Sequence, residues 1–309
     1  MNHLLRAPML ALLAAALWLP CAATARDTGS STSNDDRSSR VERFIGSLHP
    51  ASGSVDIPAA GARLNLSSGY SFLPAGDAQR VLTTLWHNPP DSDVLGMILP
   101  SADPHVLLDD RAWAVVVTYV DDGYVSDADA AGIDYDDMLR TMRKATHEHN
   151  TERLKRGYPA VELVGWAEPP HYDSASHKLF WARDLTFSKA DGSKLGQSLN
   201  YDIRVLGRKG YLSLNAVAPI DQLDRVRADM PRVLAMAEFE PGKRYSDYDS
   251  HTDKLAAYGI GALVAGGIAA KAGLFAKLGI MLLALKKFII VGLAAIAGLF
   301  KKLFRRKQA

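Results

Sequence analysis

The spacing of apolar positions divides the middle of the chain into short strands and a few helices. Strands are predicted where apolar residues alternate with polar ones or form a short run between turn residues. They fall at Arg63–Leu66, Tyr70–Leu73, Val94–Leu99, Trp113–Val120, Val161–Glu168, Leu179–Phe187, Leu199–Leu206 and Tyr211–Ala218. The run Ala114–Val117 is unbroken, which predicts a central strand covered on both faces. Gly207–Gly210 is expected to turn the last two strands into an antiparallel hairpin.

Apolar residues recur every three or four positions in three segments, which predicts helices at Asp77–Trp86, Asp134–Arg156 and Ile220–Ala237. The second helix has the clearest ends, because Asp134 is suited to cap its start and Gly157 follows its last basic residues. Strands followed by a packing helix are typical of an α+β fold. We therefore predict a mostly antiparallel sheet with helices packed on its faces, followed by a C-terminal helical membrane segment.

The N-terminal residues have the layout of a secretory signal. Arg6 precedes the apolar run Leu10–Leu19, and Ala23–Ala25 supplies the small residues that signal peptidase needs. The run is about half of the roughly 20 residues that a membrane span needs, so an uncleaved anchor is the weaker alternative. Three parts are expected before the tail: a signal peptide at residues 1–25, a polar linker at 26–40, and a periplasmic α+β domain at 41–253.

Charge is divided unevenly along the chain. All 34 Asp and Glu lie between Asp27 and Asp253, together with 24 of the 36 Lys and Arg, so this part has a net charge of −10. Ten basic residues and no acidic residue follow Asp253. An acidic middle argues against nucleic-acid binding, and a basic apolar tail suits anionic lipid head groups.

Residues 254–309 form this tail, which is apolar and glycine-rich and has lysines set into it. Its longest uncharged run, Leu255–Ala270, is shorter than the roughly 18 residues that mark a simple span. Two or three shorter helices fit better than one long surface helix. We expect residues 255–304 to bind a lipid bilayer, with one crossing inside Ile260–Leu285; a two-helix hairpin is the competing arrangement. The basic C-terminus is expected in the cytoplasm and the domain in the periplasm, at a bacterial inner membrane.

One acid-rich stretch partly matches a metal-binding pattern. Asp127, Asp129 and Gly132 fit the first, third and sixth positions of a calcium loop, but Ala131 and Met138 stand where later ligands belong. The stretch is therefore interpreted as a strand-to-helix connection with a solvated acidic surface.

Other polar residues have ordinary structural interpretations. His147 and His149 are two positions apart on a helix and point in different directions, unlike a metal-binding pair. Cys21 is the one cysteine and leaves with the expected signal peptide. We expect no metal site and no cofactor. Charged residues on predicted strands are interpreted as paired surface charges: Asp184, Asp202 and Arg204.

The densest mix of aromatic, acidic and basic side chains lies in Gly165–Asp173. Glu168 and His171 would become a general acid–base pair if a cleft brought them together. Trp166 and Tyr172 are suited to stack on a ligand. The alternative is a rigid proline turn between strands, with the tryptophan in the core. No catalytic residue is assigned, and the candidate binding residues are Trp166, Glu168, His171, Tyr172 and Asp173.

Six long strings of residues carry a resemblance to one protein family. They are Val81–Pro90, Val94–Pro100, Trp113–Asp127, Gly165–Asp173, Leu199–Gly210 and Asp253–Leu274. Together they resemble the domain of unknown function 2167 family, over a region from about Val41 to the tail. The resemblance implies a membrane-anchored bacterial protein without an assigned activity, and it carries over no catalytic residue. The strand-rich half is also similar in layout to small periplasmic sandwich domains of the PsbP-like kind.

Three functions follow from these features. The first is a membrane-anchored envelope protein whose periplasmic domain is a non-catalytic binding or structural module, with a protein partner or a second copy of itself. The second is a hydrolase acting on envelope material near Glu168, His171 and Asp173. The third is membrane remodelling or pore formation by the C-terminal helices. The sequence has no nucleophile elbow, phosphate-binding glycine loop or dinucleotide motif, which favours the first function.

Overall fold

The computed structural model describes residues 31–265, which contain strands β1 to β12 and helices α1 to α5. The strands are β1 (Ser54–Ile57), β2 (Ala62–Asn65), β3 (Ser71–Pro74), β4 (Val94–Leu99), β5 (Ala114–Val120), β6 (Tyr124–Ser126), β7 (Ala160–Asp173), β8 (Lys178–Ser188), β9 (Lys194–Leu206), β10 (Tyr211–Pro219), β11 (Ala237–Phe239) and β12 (Leu255–Gly259). The helices are α1 (Ser31–Ile45), α2 (Ala75–Arg80), α3 (Tyr135–Lys155), α4 (Leu223–Met236) and α5 (Ile260–Val264).

Seven strands form the central sheet in the order β3-β4-β5-β10-β9-β8-β7, and every neighbouring pair is antiparallel. A second antiparallel sheet has the order β1-β2-β11, and β6 pairs with β12 in parallel. The predicted hairpin closes where the Gly207 N–H donates to the Gly210 carbonyl at 2.8 Å. The predicted α+β class with a mostly antiparallel sheet is confirmed.

The predicted helices are present, and α3 has the expected start. The Asp134 carboxylate accepts hydrogen bonds from the backbone N–H groups of Asp136 and Asp137, at 3.0 and 2.9 Å. The helix predicted at Asp77–Trp86 is α2 followed by a π-helical turn, and the last predicted helix is α4. The prediction of a central, doubly covered β5 is also confirmed, because its first four residues are all buried.

One face of the central sheet is covered by the small β1–β2–β11 sheet and by α4. Alternate residues of β9 and β10, such as Leu199, Ile203 and Leu214, pack there with Val226 and Met230 of α4. Successive side chains of a strand point to opposite faces, so these alternate apolar positions build the main hydrophobic core.

The opposite face of the central sheet is covered in separate patches. At one edge, α1 and α2 pack on β3, β4 and β5. At the other edge, α3 packs on β7 and β8, with α5, β6 and β12 beside it. Between these patches, β9 and β10 carry buried polar side chains, which we call the polar stripe. Its members are Ser198, Asn200, Asp202, Arg204, Ser213 and Asn215.

The polar stripe overturns one prediction. Asp202 and Arg204 are paired, but they are not surface charges, because they are only 1% and 6% exposed. A strand that alternates apolar and polar residues usually has one face in solvent, whereas both faces of β9 are covered. Asp184 is only partly buried and accepts a hydrogen bond from the Gln197 amide at 2.6 Å.

The expected polar linker, residues 26–40, is helical from Ser31 onward. Helix α1 continues across the expected domain boundary at residue 41 because its last turn is apolar. Val41, Phe44 and Ile45 pack against α2 and the edge of the central sheet.

The first part of the expected membrane tail belongs to the folded domain. Leu255–Val264 forms β12 and α5, and Ile260, Leu263 and Val264 are at most 4% exposed. These apolar side chains contact β6, β8 and the adjoining loops. The folded unit therefore continues to Val264, beyond the boundary expected at residue 254.

Within residues 31–265, no helix is both long and apolar enough to cross a membrane. The expected signal peptide at residues 1–25 lies outside the described residues. Residues 266–309, which hold most of the expected bilayer-binding segment, also lie outside them.

Candidate ligand-binding site

The acidic loop, residues 121–132, binds the start of the C-terminal segment through two carboxylates. Asp129 accepts hydrogen bonds from two backbone N–H groups at the start of α5, at 2.9 and 3.2 Å. Asp122 accepts a hydrogen bond from the Tyr258 hydroxyl at 2.5 Å. The stretch connects β5 to α3 as predicted, and Asp121 and Asp129 are exposed. It is more than a solvated connection, because Asp122 and Asp129 bind the C-terminal segment, and the Asp129 carboxylate that a calcium loop would need is already engaged.

The two chain segments approach closely at Gly123. This residue has a φ of 106°, a conformation that side chains disfavour. A Cβ atom built there would lie 2.6 Å from the carbonyl oxygen of Lys254. Arg208 fixes the same neighbourhood, because its Nε lies 2.6 Å from the carboxylate of Asp253. The C-terminal segment is thus attached on both sides of β12.

A cavity of about 490 Å³ opens between the acidic loop and the end of β7. This volume is within the usual range of small-molecule sites. Its polar lining comes from a carboxylate, two phenol rings, an imidazole and a hydroxyl. These belong to Asp127, Tyr135, Tyr172, His171 and Ser174.

Tyr172 links two polar groups at the wall of this cavity. Its hydroxyl donates to Asp127 Oδ2 at 2.7 Å and lies 3.2 Å from Nδ1 of His177. Burial, followed by the hydrogen bond to the Asp127 carboxylate, raises the pKa of Tyr172 far above its usual range. Tyr172 therefore remains protonated at physiological pH and acts as a hydrogen-bond donor rather than as a base.

Aromatic rings pack against His177, the histidine that contacts the Tyr172 hydroxyl. The His177 ring lies 4.2 Å from the Tyr245 ring, and Tyr124 stacks on both Tyr245 and Tyr248 at 4.4 and 3.8 Å. The Tyr245 hydroxyl donates to the Val125 carbonyl of β6 at 3.0 Å. These contacts hold the wall of the cavity against β6.

The five residues predicted from Gly165–Asp173 do not form one site. Strand β7 has register shifts at three places against β8, and each shift turns the following side chains toward a different direction. Of the five, His171 and Tyr172 line the cavity. The other three are Trp166, Glu168 and Asp173.

These three side chains are engaged in separate contacts. Trp166 Nε1 donates to the Tyr135 carbonyl at 3.3 Å, so its indole packs between β7 and α3. Glu168 accepts from Arg227 Nε of α4 at 2.9 Å. Asp173 accepts from the Ala175 N–H and the Ser176 hydroxyl, and these bonds hold the pKa of Asp173 below its usual value.

The acid–base pair that the hydrolase hypothesis requires is therefore not assembled. Glu168 forms an ion pair with Arg227 and contacts Tyr201, whose pKa is raised first by burial and then by this carboxylate. His171 packs its ring 5.1 Å from Phe180.

The described residues contain no group of three or more acidic, histidine or cysteine side chains that could hold a metal ion. His147 Nδ1 lies 2.8 Å from the Glu162 carboxylate, and His149 Nδ1 lies 2.7 Å from the Ala145 carbonyl. The two histidines thus have different partners, as their spacing predicts.

Comparison with known proteins gives a family but no activity. A model of the family described as "Protein of unknown function (DUF2167)" matches residues 49–297. The comparison with curated proteins found no match.

Several solved structures are similar to parts of the chain, and two of them are described here by name. One is cyanobacterial PsbP (CyanoP) from Synechocystis sp. PCC 6803, with 10% identity, a TM-score of 0.34, and coverage of 63% of this chain and 94% of that chain. The other is the Saccharomyces cerevisiae Ran-binding protein Mog1p, with 10% identity, a TM-score of 0.30, and coverage of 62% of this chain and 96% of that chain. At TM-scores this low, neither likeness assigns a function.

Proposed function

This chain belongs to the DUF2167 family of proteins of unknown function, and we propose that it is a membrane-attached binding module of the bacterial envelope. In this proposal, residues 1–25 direct export, the α+β domain faces the periplasm, and residues 266–304 attach it to the inner membrane. The acidic domain and the ten basic residues after Asp253 support this arrangement.

The proposal rests on one observation: the acidic loop lines the cavity and also binds the C-terminal segment. Asp127 lines the cavity, while Asp122 and Asp129 bind Tyr258 and the start of α5. The segment that leads to the membrane is therefore built into the same loop as the ligand site.

The chemistry of the cavity favours a donor-rich or cationic small molecule. Asp127 offers carboxylate oxygens at the cavity wall, and the residues that line the cavity include no lysine or arginine. A cleft surrounded by one sign of charge concentrates ligands of the opposite sign. The rings of Tyr135, His171 and Tyr172 supply flat surfaces for a sugar or an amine.

The contacts of the site support binding rather than hydrolysis. Tyr172 is held protonated, Asp173 closes a turn, and Glu168 is engaged by Arg227 on α4. We therefore propose no reaction at this site.

Membrane attachment is tested by flotation with vesicles. The full chain is expected to float with vesicles containing phosphatidylglycerol and to stay behind with pure phosphatidylcholine. A chain that ends at Val264 retains β12 and α5 and is expected not to float, while it unfolds at the same urea concentration as the full chain. Equal flotation of both chains would contradict the proposed attachment.

Ligand binding is tested with two closely matched probes, glucosamine and N-acetylglucosamine. The charged amine is expected to raise the thermal midpoint more than its acetylated counterpart. Asp127→Asn keeps an acceptor for the Tyr172 hydroxyl but removes the charge, and it should abolish the difference between the probes. Asp121→Asn, at an exposed position of the same loop, should retain it. Identical responses of the wild-type chain to both probes would contradict a cation-selective cavity.

A further inference from the structure

A charge cluster formed by the polar stripe and the adjoining strand β8 has more positive than negative charge. The Asp202 carboxylate accepts from Arg183 Nε and Nη2 at 3.0 and 2.6 Å and from Arg204 Nη2 at 3.2 Å. The Asn215 amide also donates to it, at 2.8 Å. Two guanidinium groups thus share one carboxylate, and every group in contact with that carboxylate is a hydrogen-bond donor. A buried charge without a counter-charge destabilises a folded protein.

Two donors beside this cluster have no acceptor in the described chain. They are Nε of Arg204 and Nε1 of Trp181, in residues that are only 6% and 1% exposed. The two side chains are neighbours, since the guanidinium carbon of Arg204 lies 4.9 Å from the centroid of the Trp181 ring. Guanidinium and indole nitrogens donate hydrogen bonds but do not accept them. The partner that would satisfy both is therefore an acceptor.

Asp122, an acid of the acidic loop on the far side of Tyr211, is already engaged. Tyr211 stands 5.8 Å from the Arg204 guanidinium carbon, and Asp122 beyond it accepts from the Tyr258 hydroxyl. The described side chains around Arg204 thus supply one carboxylate for two guanidinium groups. Arg183, the second arginine of the cluster, is partly exposed, because its side chain keeps 12% of its surface in contact with solvent.

We propose that Arg204 of the polar stripe and the neighbouring Trp181 of β8 bind a small oxyanion, either a carboxylate or a phosphate. The anion accepts from Arg204 Nε and Trp181 Nε1 and balances the second guanidinium group. Arginine suits this role because its planar donors match the oxygens of both anion classes. The site shares no residue with the cavity beside the acidic loop, so it does not depend on the ligand proposed there.

The test measures the thermal midpoint of the full chain in sodium phosphate, sodium acetate and sodium chloride at equal ionic strength. A ligand that binds the folded state raises the midpoint as its concentration exceeds the dissociation constant. Phosphate, acetate or both are expected to raise it above the chloride value. A response to one of them assigns the anion class, and equal midpoints in all three salts would overturn the proposal.

Two tryptophan variants distinguish anion binding at this site from a general effect of salt on the thermal midpoint. Trp181→Phe removes the Nε1 donor and keeps an aromatic ring, and it should weaken oxyanion binding by about tenfold, as expected for one hydrogen bond to a charged group. Trp113→Phe is the matched control, because Trp113 is equally buried, also has an indole nitrogen without an acceptor among the described residues, and lies in the core on the opposite face of the sheet. Equal weakening in both variants would also overturn the proposal.

Discussion

The Asp129 carboxylate accepts a hydrogen bond at 2.9 Å from the backbone N–H of Ile260, which lies 131 residues further along the chain. This contact joins the acidic loop to the segment that leads into the basic, apolar C-terminal residues. Asp127, two positions before Asp129, lines the cavity. The same loop therefore connects the candidate ligand site with the proposed membrane attachment.

Removing this contact should loosen the C-terminal segment. Asp129→Ala leaves the first N–H groups of α5 without their acceptor, and loss of such a cap costs about 1 kcal/mol. We expect a lower free energy of unfolding in urea and faster proteolysis within residues 255–264. Asp134→Ala is the control, because it removes the α3 cap at a similar cost but leaves α5 capped. Unchanged proteolysis in Asp129→Ala would contradict this role of the carboxylate.

The Tyr172 hydroxyl should contribute measurably to stability. Tyr172→Phe breaks the bond to Asp127 and the contact with His177, so we expect a loss of about 1 kcal/mol in the free energy of unfolding. Tyr119→Phe is the control, because the structure shows no hydrogen bond from the Tyr119 hydroxyl to any described residue. A loss in the control as large as that in Tyr172→Phe would argue against a specific contribution from the hydroxyl.

Stability should fall at alkaline pH. Burial raises the pKa of Tyr119 to about 12, and burial also raises the pKa values of Tyr172, Tyr245 and Tyr258. An unfolded tyrosine has a pKa of about 10, so folding favours the protonated phenol. The stabilisation that these protonated phenols contribute is fully present below about pH 10, and it is lost as the pH rises through their folded-state pKa values. Urea midpoints measured from pH 8 upward should therefore begin to fall near pH 10, and a constant midpoint through pH 11 would refute this.

The buried charge cluster should be sensitive to loss of its one carboxylate. Asp202→Ala leaves Arg183 and Arg204 without their counter-charge. Removing one partner of a buried ion pair lowers the free energy of unfolding by about 3–5 kcal/mol. Asp184→Ala removes a carboxylate that is only partly buried on the neighbouring strand and should cost less than about 1 kcal/mol. Chemical unfolding of the two variants measures the difference. Similar losses in both would indicate that the buried network contributes little.

Much of the sheet is predictable because its signals are local. The strand predicted at Val94–Leu99 is β4 with the same bounds, and Asp134 caps α3 as its position before the helix indicates. The two glycines of Gly207–Gly210 mark the β9–β10 hairpin for the same reason. In each case, neighbouring residues alone decide the backbone conformation.

The candidate site is not predictable in this way, because contacts between distant residues build it. Strands β6 and β12 are only three and five residues long, and their parallel pairing joins segments that no local pattern connects. The acidic residues around Asp127 are the signal that the sequence offers, and their spacing suggested a partial calcium loop rather than the wall of a cavity. The shifts in β7 similarly separate Glu168 from Tyr172, although they are close in sequence.

The polar stripe shows a second limit. In β9, Tyr201 and Ile203 alternate with Asp202 and Arg204, the pattern of a strand with one solvated face. The covering elements on that face belong to other parts of the chain, so burial of the polar positions follows from the tertiary fold alone.

The account depends most on the attachment of residues 255–264 to the acidic loop, and amide hydrogen exchange of the full chain measures this attachment directly. We predict that the N–H groups of Ile260 and Gly261 exchange slowly, at rates similar to those of β6, and that Asp129→Ala accelerates both. Exchange of these amides at the rate of an unstructured peptide in the wild-type chain would contradict the account.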